Sequence, residues 1–220
     1  MLDSNLMDSK TLIIIVILII ISILSMLIGS ISALRQDNLK RLFAYSTIAN
    51  IGYVMIGLVS ATDKAIETSI LYMLIYTISS LGVFSFIMLI RREDTQLANV
   101  SNISGIAKTN PIIAFSMVIL LLSMAGIPPF AGFFTKLYVF TYAVEQGFLY
   151  LAIIGIIFSV VSAYYYLKII KTMYLDDNND DLTSNLDKKQ SLVVVTAALI
   201  MFLFVLYGDN LIKVISNFYV

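Results

Sequence analysis

Ala125-Gly-Ile-Pro-Pro-Phe-Ala-Gly-Phe-Phe-Thr-Lys136 lies inside Asn110 to Gln146, the stretch whose reading decides the fold. From Pro111 to Val144 the chain is apolar apart from Ser, Thr, Tyr and a single charge, Lys136. As one continuous helix those 34 residues would extend about 50 Å, against a bilayer core of about 30 Å. A break is needed, and the sequence supplies one. Pro128 and Pro129 each lack an N–H and clash with the preceding turn, while Gly126 and Gly132 tolerate unusual backbone angles. Backbone groups freed at membrane depth are tolerated only where protein or a water-filled cavity satisfies them. The stretch therefore reads as two half-helices with a lysine one turn past the last glycine.

Working outward, the composition places the chain in a membrane. Of 220 residues, 60% are hydrophobic and only 13% charged, and the mean hydropathy is +0.94. A soluble domain does not need so much apolar surface. Fourteen basic and fourteen acidic residues leave no net charge, so nothing points to nucleic acid. Cys, His and Trp are absent, which excludes disulfides, thiolate clusters, imidazole-bound haem or zinc and a histidine proton shuttle. Any chemistry falls to lysine, carboxylates, hydroxyls and water. Abundant Ile, Asn, Lys and Tyr match AT-rich genomes, pointing to an organelle or a low-GC bacterium. The first apolar run lacks a basic leader and a small-residue cleavage site, and reads as a retained span.

The fold class is all-α: a polytopic membrane bundle of about six transmembrane helices, one discontinuous at Gly126–Gly132, forming a single domain over 1–220. The expected spans are 11–34, 42–60, 66–90, the broken 110–146, 148–174 and 192–218. Leu12 to Ile21 has no polar side chain and faces lipid on several sides. In span two, Ser46, Asn50, Tyr53 and Gly57 share one face, read as a helix-packing face or else a hydrated path. Span three carries Tyr72, Tyr76 and the Ser79/Ser80 pair on one side, which must meet protein or water. Asp37 or Asn38 can cap span two. The 91–108 loop is long enough for a short surface helix. Tyr164-Tyr-Tyr-Leu-Lys168 reads as an aromatic belt with snorkelling lysines. The loop 176–189 is acidic, and span six holds Asp209 and Lys213 near its far end.

Alternating six spans puts Arg35, Lys40, Arg41, Arg91, Arg92, Lys108, Lys168, Lys171, Lys188 and Lys189 on one side and Lys10, Lys64 and Lys213 on the other. The positive-inside rule makes the first side cytoplasm or matrix and turns both termini outward, to periplasm or intermembrane space.

Lys136 at membrane depth costs about 2.5–3.5 kcal/mol on the insertion scale. Burial penalises the charged form, so a lysine there can release and retake a proton. Half-helix ends beside it bring partial charges and free backbone groups. The bland reading is a lysine ion-paired to Glu145, or to another subunit, as structural glue. Glu145 is nine residues on, about 13 Å along a helix, and a poor direct partner.

Two stretches carry a family resemblance. Ser32-Ala-Leu-Arg-Gln-Asp-Asn-Leu-Lys-Arg-Leu-Phe-Ala-Tyr-Ser-Thr-Ile-Ala-Asn-Ile-Gly-Tyr53 and Met124-Ala-Gly-Ile-Pro-Pro-Phe-Ala-Gly-Phe-Phe-Thr-Lys-Leu-Tyr-Val-Phe140 closely resemble the antiporter-like subunits of respiratory complex I. Gly-Ile-Pro-Pro followed by Lys-Leu-Tyr-Val-Phe is most similar to the NADH dehydrogenase subunit 2 branch, subunit N in bacteria. Relatives of the subunit 4 branch carry a glutamate at the lysine position. Tyr164-Tyr-Tyr-Leu-Lys168 is a third, weaker point of agreement.

In that family two inverted repeats each hold a broken helix, and a first-repeat lysine works with a membrane glutamate and a central lysine. This chain resembles the last six helices; nothing in it corresponds to the first-repeat helix, its lysine or the glutamate. The expectation is the C-terminal fragment of a split subunit, completed by a separate polypeptide supplying the missing N-terminal helices. The resemblance implies a membrane-arm subunit of a proton-translocating NADH:ubiquinone reductase, in the mitochondrial inner membrane or a bacterial plasma membrane. Its partners would be other membrane-arm subunits and lipids. Lys136 would transfer the proton, with Thr135, Tyr138, Tyr72, Tyr76 and Ser80 organising water. NADH, FMN, iron–sulfur clusters and quinone would belong to other subunits, with no redox, cofactor or metal site here. The alternatives are a subunit of a multi-subunit cation/proton antiporter and a purely architectural membrane subunit.

Overall fold

The computed structural model describes residues 9–90, 99–177 and 187–217, with side chains described over 11–90, 99–177 and 187–204. Among these residues the chain forms eight α-helices and no strand. They are α1 (Ser9–Leu34), α2 (Leu39–Val59), α3 (Asp63–Leu89), α4 (Ile106–Thr109), α5 (Pro111–Ala125), α6 (Ala131–Glu145), α7 (Leu149–Leu175) and α8 (Lys188–Asn217). A one-turn 3-10 helix, Val100–Ile103, precedes α4. Helices α1, α2, α3 and α7 are each long and apolar enough to cross a bilayer, and α5 is a shorter apolar helix.

Local chemistry sets the boundaries. Asn38 caps α2, its Oδ1 accepting from the Arg41 N–H at 3.2 Å. Thr62 does the same for α3 through the Ala65 N–H. Both caps lie inside the polar connectors, so these helices begin three residues before the apolar runs at 42 and 66 that sequence reading takes as their starts. Pro111 opens α5 at its first position, where a missing N–H costs nothing. The connector after α1 pins the segment before α4: the Val100 N–H donates to the Asp37 carbonyl at 2.8 Å. Of the 91–108 loop, 91–98 lies outside the described residues, as do 178–186 of the acidic loop and the side chains of Asp209 and Lys213.

Helix α1 lies along α2 with a narrow inner face, Ser22, Met26, Gly29, Ser30 and Ala33. Its Ser22 hydroxyl donates to the Gly52 carbonyl at 2.7 Å. Leu12, Ile13, Ile14, Val16 and Ile17 are exposed apolar side chains, whereas Ile15, Leu18, Ile19 and Ile23 pack partly buried against the core. The broken pair α5/α6 sits inside, contacted by α2, α3, α7 and α8. Met117, Leu120, Leu121, Ala131 and Val139 are fully or almost fully buried there. One expectation fails on α7. Only Tyr164 points outward; Tyr165 and Tyr166 are buried and pack ring to ring at 4.5 Å. Successive residues on a helix are 100° apart, so three tyrosines in a row cannot share an outer belt.

Candidate functional site

The site begins with the way α5 stops. Gly126 takes a left-handed conformation, φ +76°, which a residue with a Cβ adopts only at a cost. The Ile127 N–H turns back to the Leu122 carbonyl at 3.0 Å and the Gly126 N–H to the Ser123 carbonyl at 3.0 Å. This Schellman closure satisfies two of the last carbonyls of α5 and leaves those of Met124 and Ala125. The Pro128–Pro129 peptide is cis. Helix α6 then starts at Ala131, and its Gly132 N–H donates to the Ser123 hydroxyl at 3.1 Å. The two halves touch at this point. A Cβ on Gly132 would fall on the Ser123 carbonyl oxygen.

Lys136, in the second turn of α6, reaches back across the break and is 4% exposed. Its Nζ donates to the Met124 carbonyl at 3.1 Å, the Ala125 carbonyl at 3.4 Å and the Ser159 hydroxyl of α7 at 3.1 Å. It also sits 4.6 Å from the centroid of the Tyr53 ring, in cation–π range. An ammonium carries three donors and no acceptor, and here each donor has an acceptor. The C-terminal end of α5 adds its negative partial charge. The stem passes over the break, so a Cβ on Gly126 would lie 2.9 Å from Lys136 Cδ. Among the described residues the ion pairs are Lys108–Asp177, Lys168–Asp37 and Lys171–Asp176. None involves Lys136, and Glu145 is exposed at the far end of α6.

Two further polar groupings adjoin the amine. The Tyr53 hydroxyl meets Ser162 Oγ at 3.4 Å, and Ser162 Oγ meets Ser30 Oγ at 3.2 Å. One turn back along the same face of α2, the Tyr72 hydroxyl donates to Asn50 Oδ1 at 2.6 Å. Asn50 Nδ2 donates to the Ser46 carbonyl at 2.8 Å and to Ser46 Oγ at 3.3 Å. Ser46 Oγ in turn shares a hydrogen bond with the Tyr166 hydroxyl. Between this cluster and the break is a small cavity, about the room one water needs, lined by Asn50, Tyr72, Ile75, Tyr76, Ser79, Ser123, Met124 and Gly132. Ser79 Oγ is buried without a hydrogen-bond partner among the described residues, as are Ser80 Oγ and the Tyr165 hydroxyl.

Of the residues singled out from sequence, Lys136, Gly126 and Gly132 form the core of the site, and Tyr72 and Tyr76 line the cavity. Tyr76 donates to Thr47 Oγ1 at 2.8 Å. Ser80 is not among the cavity lining, where its neighbour Ser79 stands instead. Thr135 is buried but turns its hydroxyl to the Ala131 and Gly132 carbonyls of its own helix. Tyr138, two residues past Lys136, is partly exposed; at that spacing the two side chains leave opposite faces of α6. Sequence reading missed Ser123, Ser159 and Ser162. The signal for the last two is on α7, where Gly155, Ser159, Ser162 and Tyr166 recur at helical spacing. The Ser46, Asn50, Tyr53 and Gly57 stripe faces protein throughout. A Cβ on Gly57 would meet the Ser69 side chain of α3.

Comparison with known proteins gives a concordant set. A family described as NADH:quinone oxidoreductase/Mrp antiporter, transmembrane, matches residues 2–162. The chain is 40% identical over 198 residues to NADH-quinone oxidoreductase subunit N of Pelagibacter ubique, covering 89% of this chain and 42% of that protein. It is 47% identical over 176 residues to subunit N of a Wolbachia from Brugia malayi, covering 80% and 37%. The chain thus spans about two-fifths of the length of the curated relatives it matches. In fold it is similar to a chain of respiratory complex I from Thermus thermophilus, with TM-score 0.78, 24% identity and coverage of 90% and 44%. It is likewise similar to a chain of the Mrp complex from Dietzia, with TM-score 0.80, 18% identity and coverage of 91% and 46%.

Proposed function

The chain belongs to the NADH:quinone oxidoreductase/Mrp antiporter transmembrane family, and from that premise we propose that it is a membrane-arm subunit of a proton-translocating NADH:quinone oxidoreductase in which Lys136 carries the proton. The observation that supports this most is the cradle of Lys136. A structural cation would be expected to sit against a carboxylate; this one sits against two helix-end carbonyls and a hydroxyl. That set holds the cation by partial charges, with no full counter-ion among the described residues, so a change in neighbouring charge can tip the amine between charged and neutral forms. Charge displaced by quinone reduction elsewhere in the complex would shift that balance, and Lys136 would release or capture a proton in response. The chain performs no redox step itself; NADH, FMN, iron–sulfur clusters and quinone would be handled by other subunits.

Partners on this reading are the other membrane-arm subunits. Relatives named subunit N favour this over the Mrp-type antiporter, whose likeness is one of fold at 18% identity. The membrane would be the mitochondrial inner membrane or a bacterial plasma membrane, with both termini on the outer side.

The test is Lys136→Met in the assembled native complex, reconstituted in vesicles, with assembly checked by native gel and co-purifying chains identified by mass spectrometry. NADH-driven proton uptake is expected to fall on the order of 100-fold, the scale of removing a proton-transferring group. Unchanged uptake would make the subunit architectural. Proton exchange driven by sodium without NADH would make it an antiporter subunit.

A further inference from the structure

One neighbour of the Lys136 amine is not an oxygen. Nζ stands over the Tyr53 ring of α2, 4.6 Å from the centroid. Tyr53 is fully buried and Lys136 is 4% exposed, so the contact is closed off from the surface of the bundle. A carbonyl or hydroxyl oxygen accepts an N–H from a neutral amine as well as from an ammonium. An aromatic face attracts through its quadrupole, and what it attracts is positive charge. The ring therefore separates charged from neutral lysine, and does so without supplying a counter-ion that would fix the charge.

The ring is held for this contact from several sides. Its hydroxyl meets Ser162 Oγ of α7 at 3.4 Å, and Ser162 Oγ meets Ser30 Oγ of α1 at 3.2 Å. Phe140 packs against it at a steep angle, with centroids 6.3 Å apart and planes at 80°. Lys136 and Phe140 are four residues apart on α6 and share a face, so one side of that helix presents both the charge and the ring that braces its aromatic partner. Gly155 of α7 leaves the room for this: a Cβ there would lie 2.7 Å from Phe140 Cε1 and 2.9 Å from Ile56 Cδ1.

We propose that Tyr53 is a positioning residue of Lys136, its ring face favouring the charged amine within the cradle at the helix break. The role rests on the reading of Lys136 as the proton carrier. A carrier is loaded only while charged, so a weaker ring face leaves fewer lysines loaded and slows uptake. The hydroxyl orients the ring; its partner is Ser162, not the amine.

Tyr53→Phe and its mono-, di- and trifluorinated analogues, placed at position 53 by suppression of a stop codon, keep the shape of the ring while each fluorine draws negative charge from its face. In the complete complex in vesicles, with assembly checked by native gel, Tyr53→Phe is expected to keep NADH-driven proton uptake within about threefold of the unsubstituted complex, since it loses a single long hydrogen bond. Uptake is then expected to fall with each fluorine, about tenfold over the series, the weight of a desolvated cation–π contact. Equal or rising uptake across the series would overturn the proposal, because a ring that only fills space is indifferent to the charge on its face. So would a large loss at Tyr53→Phe with no further change on fluorination, which would assign the role to the hydroxyl. Lys136→Met is measured alongside. If it abolishes uptake while the series is flat, the role of the ring fails and the lysine reading stands. If it leaves uptake intact, the lysine reading fails and takes the role of Tyr53 with it.

Discussion

The amine of Lys136 and the amide of Asn50 are both polar groups buried inside the bundle, and they are satisfied by opposite means. Lys136 takes two of its three acceptors from backbone carbonyls that exist because α5 ends. Asn50 takes its partners from the hydroxyls of Tyr72 of α3, Tyr166 of α7 and Ser46 one turn back, and from the Ser46 carbonyl, on helices that run unbroken past it. A neutral amide is accommodated by side chains that rotate to meet it. A charge is accommodated by interrupting a helix and holding the freed carbonyls still. The first arrangement adapts to change; the second depends on a backbone that has nowhere else to go.

The hardest blow to that contrast would come at the crossing of the half-helices. Gly132→Ala places a methyl group on the Ser123 carbonyl, and the obstacle is backbone rather than a movable side chain end. Either α5 and α6 separate or the break is rebuilt. The expected cost is about 3 kcal/mol, the upper end for overpacking, read as loss of assembled complex on a native gel and a lower unfolding temperature. An unchanged yield and melting temperature would mean that the break is as adaptable as the Asn50 cluster.

Gly126 sharpens the same point more finely, because two demands meet there. Its φ of +76° disfavours any Cβ, and the Lys136 stem passes where that Cβ would lie. Gly126→Ala should cost about 1–2 kcal/mol from the backbone angle. Gly126→Asn should cost less on that ground, since Asn tolerates the left-handed region, yet it puts a larger side chain against the lysine. Melting temperature and proton uptake are therefore expected to part company. Asn should melt higher than Ala and pump no better. If Asn both melts higher and restores uptake, Gly126 serves the turn alone.

The break and its lysine were legible in the sequence for plain reasons: adjacent prolines cannot lie inside a helix, and one charge in 34 apolar residues stands out. What Lys136 touches was not. Met124 and Ala125 lie 12 and 11 residues before it, and only the folding of one half-helix against the other brings them within reach. Thr135 is adjacent to the lysine in sequence, but neighbours on a helix diverge by 100° and its hydroxyl bonds its own backbone. Ser159 belongs to a readable stripe, Gly155, Ser159, Ser162 and Tyr166, but a serine in an apolar helix bonds its own backbone as readily as a neighbour, so the stripe alone does not single it out. The cap at Thr62 is of the same kind, a small polar residue just ahead of the charged Asp63 and Lys64.

The smallest expected effect lies on the adaptable side. Tyr72→Phe removes the hydroxyl that donates to Asn50 Oδ1 at 2.6 Å while keeping the ring that fills α3's inner face. Asn50 retains its bonds to Ser46 through Nδ2. Its Oδ1 then faces the cavity, where a water can replace the lost donor. The cost should be about 1 kcal/mol or less, a shift of a few degrees in melting temperature, with coupled proton uptake changed less than about threefold, as that energy allows. Asn50→Leu provides the calibration, because it strands the Tyr72 hydroxyl and the Ser46 partners together and should cost on the order of 2 kcal/mol. Should Tyr72→Phe prove as damaging as Gly132→Ala, the Asn50 cluster would be as rigidly specified as the cradle, and the distinction between a site held by backbone and one held by rotatable hydroxyls would fail.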